Sequence, residues 1–266
     1  MSNATPLGTA VVTGATGGMG AAYALGLAQR GYDLLLVARN APALQALAQD
    51  IGGATGRKVE VAVHDLADAG EQDRLADRLA ADADLALLAN IAGMAKFSPF
   101  TTIEPSKVDH TIAVNIGAFT KLSRAVAPGF AERGRGAIVN FASILAFRTW
   151  PEFNVYSATK AYVLALSQAM QAELQDRGVL VQVVFPPATA TPFWQEAGFS
   201  YDNLPPKAVM RAEDLVAAAL VGLDRREAIV MPSLSDALLW DAYQEARMNL
   251  LKGMMSGTVA QRYAGA

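Results

Sequence analysis

The sequence predicts an α/β fold in which a doubly wound parallel sheet is flanked by helices. Short apolar segments alternate with longer segments of helical periodicity from the first residues onward, which is typical of βαβ units. Several short segments are apolar at every position, as expected for strands of a parallel sheet buried on both faces. We find no linker, low-complexity stretch or internal repeat, so we expect residues 1–266 to form a single domain.

The individual elements follow from the same periodicity. Strands are predicted at the apolar segments Thr9–Thr13, Asp33–Ala38, Val59–Val63, Leu85–Ala89, Ala137–Phe141, Val179–Phe185 and Ala228–Met231. Helices are predicted at Met19–Arg30, Ala41–Ile51, Gly70–Ala81, Pro105–Arg133, Val155–Arg177 and Glu213–Leu223. The irregular stretch Pro186–Met210 predicts a substrate lid over about residues 186–210. An amphipathic helix is expected within Ser235–Arg262, with Met248, Leu251, Met254 and Met255 packed in the core or between subunits.

Composition and charge narrow the class of protein. The chain has no cysteine, which excludes disulfides, thiolate nucleophiles and zinc–thiolate sites and is compatible with a reducing cytosol. The formal net charge is −3, and the basic residues are scattered, so we expect neither nucleic acid nor an anionic membrane as a partner. No apolar run reaches the roughly 18 residues of a membrane span, and Met1–Leu7 lacks the pattern of a secretory signal. We therefore expect a cytoplasmic protein, and we predict no metal site.

A glycine-rich loop joins the first predicted strand to the first predicted helix. It reads Thr13-Gly14-Ala15-Thr16-Gly17-Gly18-Met19-Gly20. Glycines permit a tight turn and close approach of the backbone to a pyrophosphate, and a helix N-terminus offers N–H groups to an anion. A merely structural turn is the alternative, but its place after the first strand favours a dinucleotide site formed by Gly14, Thr16, Gly17, Gly18, Met19 and Gly20. Two glycine spacings fit the loop, Thr-Gly-x-x-x-Gly-x-Gly and Gly-x-x-Gly-x-x-Gly, so the subgroup stays open.

The end of the second strand indicates which dinucleotide is preferred. An NAD site places an acidic side chain there to bind the ribose 2′-hydroxyl. This strand instead ends Val37-Ala38-Arg39-Asn40, without an acid. Arg39 is a permanent cation that could pair with a 2′-phosphate in bidentate fashion, although a solvated surface arginine is the alternative. The sequence therefore favours NADP(H) as the cofactor.

Four polar residues form a candidate catalytic set. Tyr156 and Lys160 are four residues apart at the start of a predicted helix, which puts both on one helix face. A phenol has a pKa of about 10, and a neighbouring ammonium favours its ionised form, so the pair is a candidate general acid and base. Ser143 follows a predicted strand, where its hydroxyl could hydrogen-bond a substrate carbonyl. Asn115 lies inside a predicted helix, where asparagine is a poor helix former unless it has another role.

The order and spacing of these motifs resemble the compact branch of the short-chain dehydrogenase/reductase family, over residues 13 to about 191. The resemblance implies a Rossmann-type fold and hydride transfer between a nicotinamide and a carbonyl or alcohol carbon. It implies that Tyr156 exchanges the proton, and that Lys160 lowers the pKa of Tyr156 and binds the nicotinamide ribose. It also implies that Ser143 holds the substrate oxygen and that Asn115 supports a water in the proton relay.

Further cofactor contacts are implied by the same resemblance. Asp65, with Leu66 beside it, would contact the adenine, and Asn90 would lie beside the adenosine ribose and support the sheet. The other implied contacts follow the fourth and sixth strands, at Ala92, Gly93, Pro186, Thr189 and Thr191. Pro187 stands where the family usually has glycine, and proline lacks an N–H and has a restricted φ. Backbone contacts at that position therefore depart from the family's pattern.

Aromatic and aliphatic residues around the catalytic set predict a hydrophobic substrate pocket. The residues assigned to it are Leu145, Phe147, Trp150, Phe153, Phe193 and Trp194, with Phe199, Met94 and Phe97 as further candidates. Such a pocket suits a hydrophobic ketone or secondary alcohol. Lys96 or Arg148 could instead anchor an acyl-carrier or CoA thioester, but neither is clustered with other basic residues.

Several functions are compatible with these residues. The leading one is an NADPH-dependent ketone reductase or alcohol dehydrogenase, and the second is a 3-oxoacyl thioester reductase. A sugar-nucleotide epimerase or dehydratase is disfavoured because too few residues follow Pro186 for its substrate domain. A cofactor-binding sensor without turnover is disfavoured because the whole catalytic set is present. The resemblance also implies a homodimer or homotetramer formed through the helices Pro105–Arg133 and Val155–Arg177.

Overall fold

The computed structural model describes residues 7–264, which fall into two compact units, one ending at Pro232 and the other beginning at Ser233. Residues 1–6, for which the sequence predicts no secretory signal, and residues 265–266 lie outside the described residues. The single domain expected for residues 1–266 stays a prediction.

The described residues contain strands at all seven predicted places. The strands are β1 (Thr9–Thr13), β2 (Asp33–Ala38), β3 (Val59–Val63), β4 (Leu85–Asn90), β5 (Gly136–Phe141), β6 (Val179–Val184), β7 (Ala188–Ala190), β8 (Val209–Arg211) and β9 (Ile229–Val230). Strands β1 to β6 and β9 agree with the prediction to within one residue at each end. The short strands β7 and β8 lie in the segment predicted as an irregular lid, and neither strand was predicted.

Helices connect the strands and flank the sheet. They are α1 (Gly18–Gln29), α2 (Ala41–Thr55), α3 (Ala69–Ala80), α4 (Pro105–Ile112), α5 (Phe119–Arg133), α6 (Asn154–Leu174), α7 (Phe193–Glu196), α8 (Ala212–Asp224) and α9 (Leu238–Met254). Asn40 is the N-cap of α2 and Asp68 is the N-cap of α3. The Asn40 side chain accepts from the Ala43 N–H at 3.1 Å, and the Asp68 side chain accepts from the Glu71 N–H at 2.8 Å.

The main sheet is parallel throughout and confirms the doubly wound fold. Its order is β3-β2-β1-β4-β5-β6-β9, and β7 pairs separately with β8. The chain therefore moves outward from β1 to β3, then crosses to β4 and moves outward in the other direction. Ligands of such sheets bind at this reversal point, beyond the carboxyl ends of the strands. The glycine loop after β1 and the turn after β4 meet there.

Alternate residues of each strand point into two cores, one on each face of the sheet. Val12 packs in the core that also contains Leu27 of α1 and Leu220 of α8. Its neighbour Val11 packs in the other core, with Leu75 of α3 and Leu122 of α5. Because both faces are covered, the strands are apolar at nearly every position.

The predicted helix Pro105–Arg133 is not a single α-helix. A π-helical segment, Ala113–Ala118, separates α4 from α5. π-helical turns are rare and often occur at functional sites. Here the segment contains Asn115, whose hydrogen bonds to a neighbouring loop are described below. Helical periodicity alone does not distinguish a π turn from an α turn, so the prediction missed it.

The unit that begins at Ser233 contains α9. Met248, Leu251, Met254 and Met255, which were expected to pack in the core or between subunits, are 49–76% exposed. Core packing is therefore wrong for these side chains, and packing between subunits stays a prediction. No helix within residues 7–264 is both long and apolar enough to span a bilayer.

Candidate active site

The glycine loop has a backbone conformation that only glycine can adopt at some positions. Gly14 has a φ of +68°, and a Cβ there would lie 2.8 Å from the Cα of Ala92. A Cβ on Gly20 would lie 2.2 Å from the Gly14 carbonyl oxygen. Gly17 is the N-cap of α1 and, like Gly18, is exposed. The loop therefore presents bare backbone and a helix N-terminus to a ligand, which suits a diphosphate.

Thr13 joins this loop to the turn after β4. Its hydroxyl accepts from the N–H groups of Ile91 and Ala92, both at 3.1 Å, and donates to the Ala89 carbonyl at 3.2 Å. The side chain is 1% exposed. Thr13 is not among the predicted site residues, although its place directly before the first glycine of the loop is a signal for it.

Asn90 belongs to a buried chain of side-chain hydrogen bonds. Its Nδ2 donates to Ser123 Oγ at 3.0 Å and to Asn140 Oδ1 at 2.9 Å. Asn140 in turn donates to Ser167 Oγ at 2.9 Å. This chain links β4 and β5 to α5 and α6, so Asn90 supports the sheet as expected. Its expected contact with a ribose stays a prediction.

Three residues implied for the adenosine end follow the neighbouring strands β2 and β3. Arg39 is exposed just after β2, and no ion pair is present for it among residues 7–264. Asp65 is exposed after β3 and accepts from the Ala67 N–H at 3.0 Å. Leu66 is buried beside it. Because β2 and β3 are adjacent in the sheet, their carboxyl ends bring Arg39 and Asp65 to the same edge.

The residues of the predicted catalytic set come together at the carboxyl ends of β4 and β5. Lys160 Nζ donates to the Phe141 carbonyl at 2.8 Å and lies 5.6 Å from the centre of the Tyr156 ring. The Ser143 side chain acts on the Tyr156 hydroxyl and favours its ionised form, which lowers the pKa of Tyr156. A Cβ on Gly93 would lie 3.5 Å from Lys160 Nζ, so this glycine leaves room beside the ammonium.

Asn115 is held by three hydrogen bonds of about equal length. Its Nδ2 donates to the Met94 carbonyl and to Thr159 Oγ1, and its Oδ1 accepts from the Met94 N–H, all at 2.9 Å. The Thr159 hydroxyl donates to the Tyr156 carbonyl at 2.8 Å. Asn115 thereby connects the π-helical segment, the loop after β4 and the first turn of α6, which carries Tyr156.

Burial dominates the titration of the two central groups. It raises the pKa of Tyr156 to about 12, against the hydrogen bond from Ser143, which acts to lower this pKa. Burial also lowers the pKa of Lys160 to about 8. The resemblance implied that Lys160 lowers the pKa of Tyr156. That effect of Lys160 stays a prediction.

A cavity of about 450 Å³ opens beside Ser143, Tyr156 and Lys160. Most of the residues that line it are apolar or aromatic. The expected residues Leu145, Trp150, Phe153, Phe193, Trp194 and Phe199 line it, as do Met19, Gly93, Pro186, Thr189 and Thr191. Residues that the sequence analysis did not assign to it also line it: Ile91, Phe141, Ala142, Ile144, Glu152, Pro187, Ala188, Leu204 and Ala208.

Three candidate pocket residues lie elsewhere. Phe147 does not line the cavity, because its ring packs against the buried ring of Phe185 at a centroid distance of 4.9 Å. The prediction for Phe147 is therefore wrong. Met94 lies outside the lining and is held through its backbone by Asn115. Phe97 is 8% exposed and lies behind the rings of the lining.

The lid contains short strands and helical turns, and its residues line one side of the cavity. Its ends pair as the parallel strands β7 and β8. The Trp194 indole N–H donates to the Thr189 carbonyl at 2.8 Å, which ties α7 back to β7. Thr191 approaches the glycine loop, since a Cβ on Gly18 would lie 3.2 Å from Thr191 Cγ2. Pro187 lines the cavity, and its carbonyl accepts from the Thr189 hydroxyl at 2.9 Å.

Comparison with known proteins agrees with this fold. The sequence model of the family described as short chain dehydrogenase matches residues 8–200. The chain therefore belongs to the short chain dehydrogenase family, as its motifs predicted.

Solved structures and a curated relative refine the comparison. A short-chain dehydrogenase from Sphingobium yanoikuyae, solved in complex with NADPH, is 41% identical with a TM-score of 0.92, covering 96% of this chain and 100% of that chain. A bulky-bulky ketone specific alcohol dehydrogenase from Comamonas testosteroni is 36% identical with a TM-score of 0.90. The match covers 98% of this chain and 100% of that chain. Very-long-chain 3-oxoacyl-CoA reductase from Anas platyrhynchos is 35% identical over 210 residues, which are 76% of this chain and 66% of that protein. The chain spans less than two thirds of the length of that relative.

Proposed function

We propose that this protein is an NADP(H)-dependent oxidoreductase that transfers a hydride between the nicotinamide and a hydrophobic ketone or the corresponding secondary alcohol. One observation carries the proposal: an apolar cavity of about 450 Å³ has Ser143, Tyr156 and Lys160 in its lining. A bound ketone can thus bury its apolar groups while its oxygen reaches a hydroxyl donor.

The residues around the carboxyl ends of β1 and β2 fit a phosphorylated dinucleotide. The glycine loop exposes the backbone of Gly17 and Gly18 at the N-terminus of α1, where N–H groups could bind a diphosphate. We propose that Arg39 binds the 2′-phosphate and that Asp65 and Leu66 flank the adenine. We propose that Asn90 lies beside the adenosine ribose. The other proposed contacts are Ala92, Gly93, Tyr156, Lys160, Pro186, Thr189 and Thr191. When bound, NADPH supplies the hydride.

The chain's own residues manage the proton and the carbonyl oxygen. With its pKa raised to about 12, Tyr156 is protonated at neutral pH and can donate its proton to the carbonyl oxygen during reduction. Ser143 holds that oxygen through its hydroxyl. Lys160, whose pKa lies near 8, is largely an ammonium at neutral pH and stabilises the phenolate that remains. Asn115 holds the loop at Met94 against the first turn of α6 and so keeps the set aligned.

The cavity favours a free ketone over a thioester. Glu152 and Lys160 are the charged residues in its lining, and Lys160 is buried at the catalytic end. The cations Lys96 and Arg148, considered as anchors for a carrier, lie outside the lining, and the Arg148 guanidinium stacks on Trp150 at 5.4 Å. A carboxylate near an anionic carrier would be repulsive. The ketone-specific dehydrogenase from Comamonas testosteroni has the same fold over nearly the whole chain, which also supports a ketone.

Reduction of a 3-oxoacyl thioester remains the second candidate. The curated relative named very-long-chain 3-oxoacyl-CoA reductase favours it, because the same chemistry acts on a ketone beside a thioester. The test is incubation with NADPH and a panel of aryl ketones, alkyl ketones and 3-oxoacyl thioesters, following the loss of NADPH absorbance. We expect turnover with aryl ketones. Turnover confined to thioesters would support the second candidate, and no turnover with either would reject both.

We further propose that the protein works in the cytoplasm as a homodimer or homotetramer. The absence of cysteine is compatible with a reducing compartment. The expected subunit contact involves the helices α4 to α6, whose exposed apolar side chains include Ile112 and Tyr162.

A further inference from the structure

Phe97 lies at the centre of a group of aromatic side chains that line the cavity, which we term the aromatic wall. The wall consists of Phe153, Tyr156, Phe193, Trp194 and Phe199. The ring centre of Phe97 lies 4.6 Å from Phe153, 5.6 Å from Trp194, 5.7 Å from Tyr156, 6.1 Å from Phe193 and 6.3 Å from Phe199. Phe97 itself is outside the lining and 8% exposed, so it supports the wall from behind.

The wall has two halves that come from distant parts of the chain. Phe153 directly precedes α6 and Tyr156 lies in its first turn, whereas Phe193, Trp194 and Phe199 belong to the lid. Phe97 is on neither segment, and it contacts rings of both. Within the wall, Tyr156 lies 5.6 Å from Phe193, and Phe153 lies 5.7 Å from Phe199, between ring centres.

Backbone hydrogen bonds hold the loop of Phe97 to both halves. The Phe97 N–H donates to the carbonyl of Ala197 in the lid at 2.8 Å. The next residue, Ser98, donates its N–H to the carbonyl of Glu152 at 3.1 Å, and its own carbonyl accepts from Asn154 Nδ2 at 2.9 Å. The loop is therefore bonded to the lid on one side and to the segment before Tyr156 on the other.

We propose that Phe97 is a positioning residue that sets the shape of the substrate cavity by holding the lid half of the aromatic wall against the half that carries Tyr156. This inference rests on the proposed function. Packed aromatic rings leave little free space, so removing the Phe97 ring leaves a void into which the lid residues Phe193, Trp194 and Phe199 relax. A bulky ketone depends on the wall's shape along its length. A small ketone, held near Ser143 and Tyr156, depends on it far less.

The test compares Phe97→Leu with the wild-type protein on a diaryl ketone and a small dialkyl ketone, both with NADPH. We expect kcat/KM for the diaryl ketone to fall by about tenfold, mainly through KM, while kcat/KM for the small ketone changes by less than about twofold. Phe130→Leu is the matched control, because Phe130 is fully buried but outside the cavity. A loss of folded protein would lower kcat/KM equally for both ketones. We therefore expect Phe130→Leu to leave the ratio of the two kcat/KM values unchanged.

Amide hydrogen exchange in residues 193–199 gives a readout that needs no turnover. We expect exchange in this segment to speed up by about tenfold in Phe97→Leu and to stay unchanged in Phe130→Leu. The role of Phe97 would be overturned if Phe97→Leu lowered kcat/KM equally for the two ketones. Unchanged amide exchange in residues 193–199 of this variant would also overturn it. If the wild-type protein reduces neither ketone, the proposed function fails, and the exchange measurement alone decides whether Phe97 holds the lid.

Discussion

Lys160 is buried and Tyr156 is partly buried, and their removal from water favours the neutral form of each. The pKa of the phenol rises to about 12 and that of the ammonium falls to about 8. At neutral pH the chain therefore holds a protonated phenol beside an ammonium that is close to its own titration point. This combination suits proton donation to a carbonyl oxygen, since the phenolate left behind is stabilised by the cation.

Replacing Tyr156 with phenylalanine should abolish ketone reduction while sparing cofactor binding, because the change removes the hydroxyl and keeps the ring. We expect kcat to fall by about 10³-fold or more, as loss of a general acid allows. The dissociation constant for NADPH, measured by fluorescence titration, should stay within about threefold. Tyr162→Phe on the same helix is the control, and near-normal turnover of Tyr156→Phe would contradict the mechanism.

Arg39→Ala should weaken NADPH binding by about 10- to 100-fold, which is the loss expected for charge-assisted hydrogen bonds to a phosphate. NADH binding should change little, because NADH lacks the 2′-phosphate. Calorimetric titration of both dinucleotides provides the comparison, with the exposed Arg74→Ala as the control. An equal loss of affinity for NADPH and NADH would contradict the proposed binding of the 2′-phosphate by Arg39.

Lys160→Met should change how stability depends on pH. The pKa of Lys160 is near 8 in the folded protein and near 10.5 when unfolded, so between these values the unfolded chain binds more protons. Stability of the wild type relative to the variant should therefore rise between pH 8 and pH 10.5, by about 3 kcal/mol in total. Urea denaturation from pH 7 to pH 10 measures this difference, with Lys207→Met as the control. A flat difference across that range would show that Lys160 is not buried as described.

At the scale of elements, the π-helical segment between α4 and α5 has a specific consequence. It places Asn115 so that one side chain satisfies both the N–H and the carbonyl of Met94 and also binds Thr159. Without this side chain, two polar backbone groups of the loop after β4 lose their partner. The segment thus departs from regular α-helical geometry, and its Asn115 holds the loop at Met94 beside the catalytic residues.

Asn115→Ala should lower the free energy of unfolding by about 2–4 kcal/mol, because partly buried donors and acceptors are left unpaired. Ketone reduction should also fall, since the loop at Met94 and the first turn of α6 are no longer held together. Urea denaturation and steady-state kinetics measure the two effects. The exposed Asn249→Ala is the control, and a variant as stable and active as the wild type would contradict this role of the segment.

At the scale of the whole molecule, the helices α4 to α6 are expected to form the subunit contact. Ile112 on α4 is 43% exposed and Tyr162 on α6 is 37% exposed, which leaves apolar surface for a partner. We expect light scattering to give a dimer or tetramer, and Ile112→Glu to shift it toward the monomer, since a carboxylate is costly in such a contact. A monomeric wild-type protein would count against this assembly.

The sequence alone was sufficient for the seven strands of the main sheet and for the doubly wound fold class. It also identified the catalytic set, whose role stays a prediction. Apolar strands and glycine turns are local signals, because burial on both faces demands an apolar residue at nearly every strand position. Tyr156 and Lys160 are four residues apart on one helix, so their proximity was also local.

Only the tertiary structure decided which aromatic residues face the cavity. Phe147 packs against Phe185 and Phe97 supports the wall from behind, whereas Leu204 and Ala208 reach the cavity through the path of the lid. It also decided the direction of the Tyr156 pKa, which depends on how completely distant segments exclude water. Such features arise from contacts between residues far apart in the chain, and the periodicity of a single segment carries no information about them.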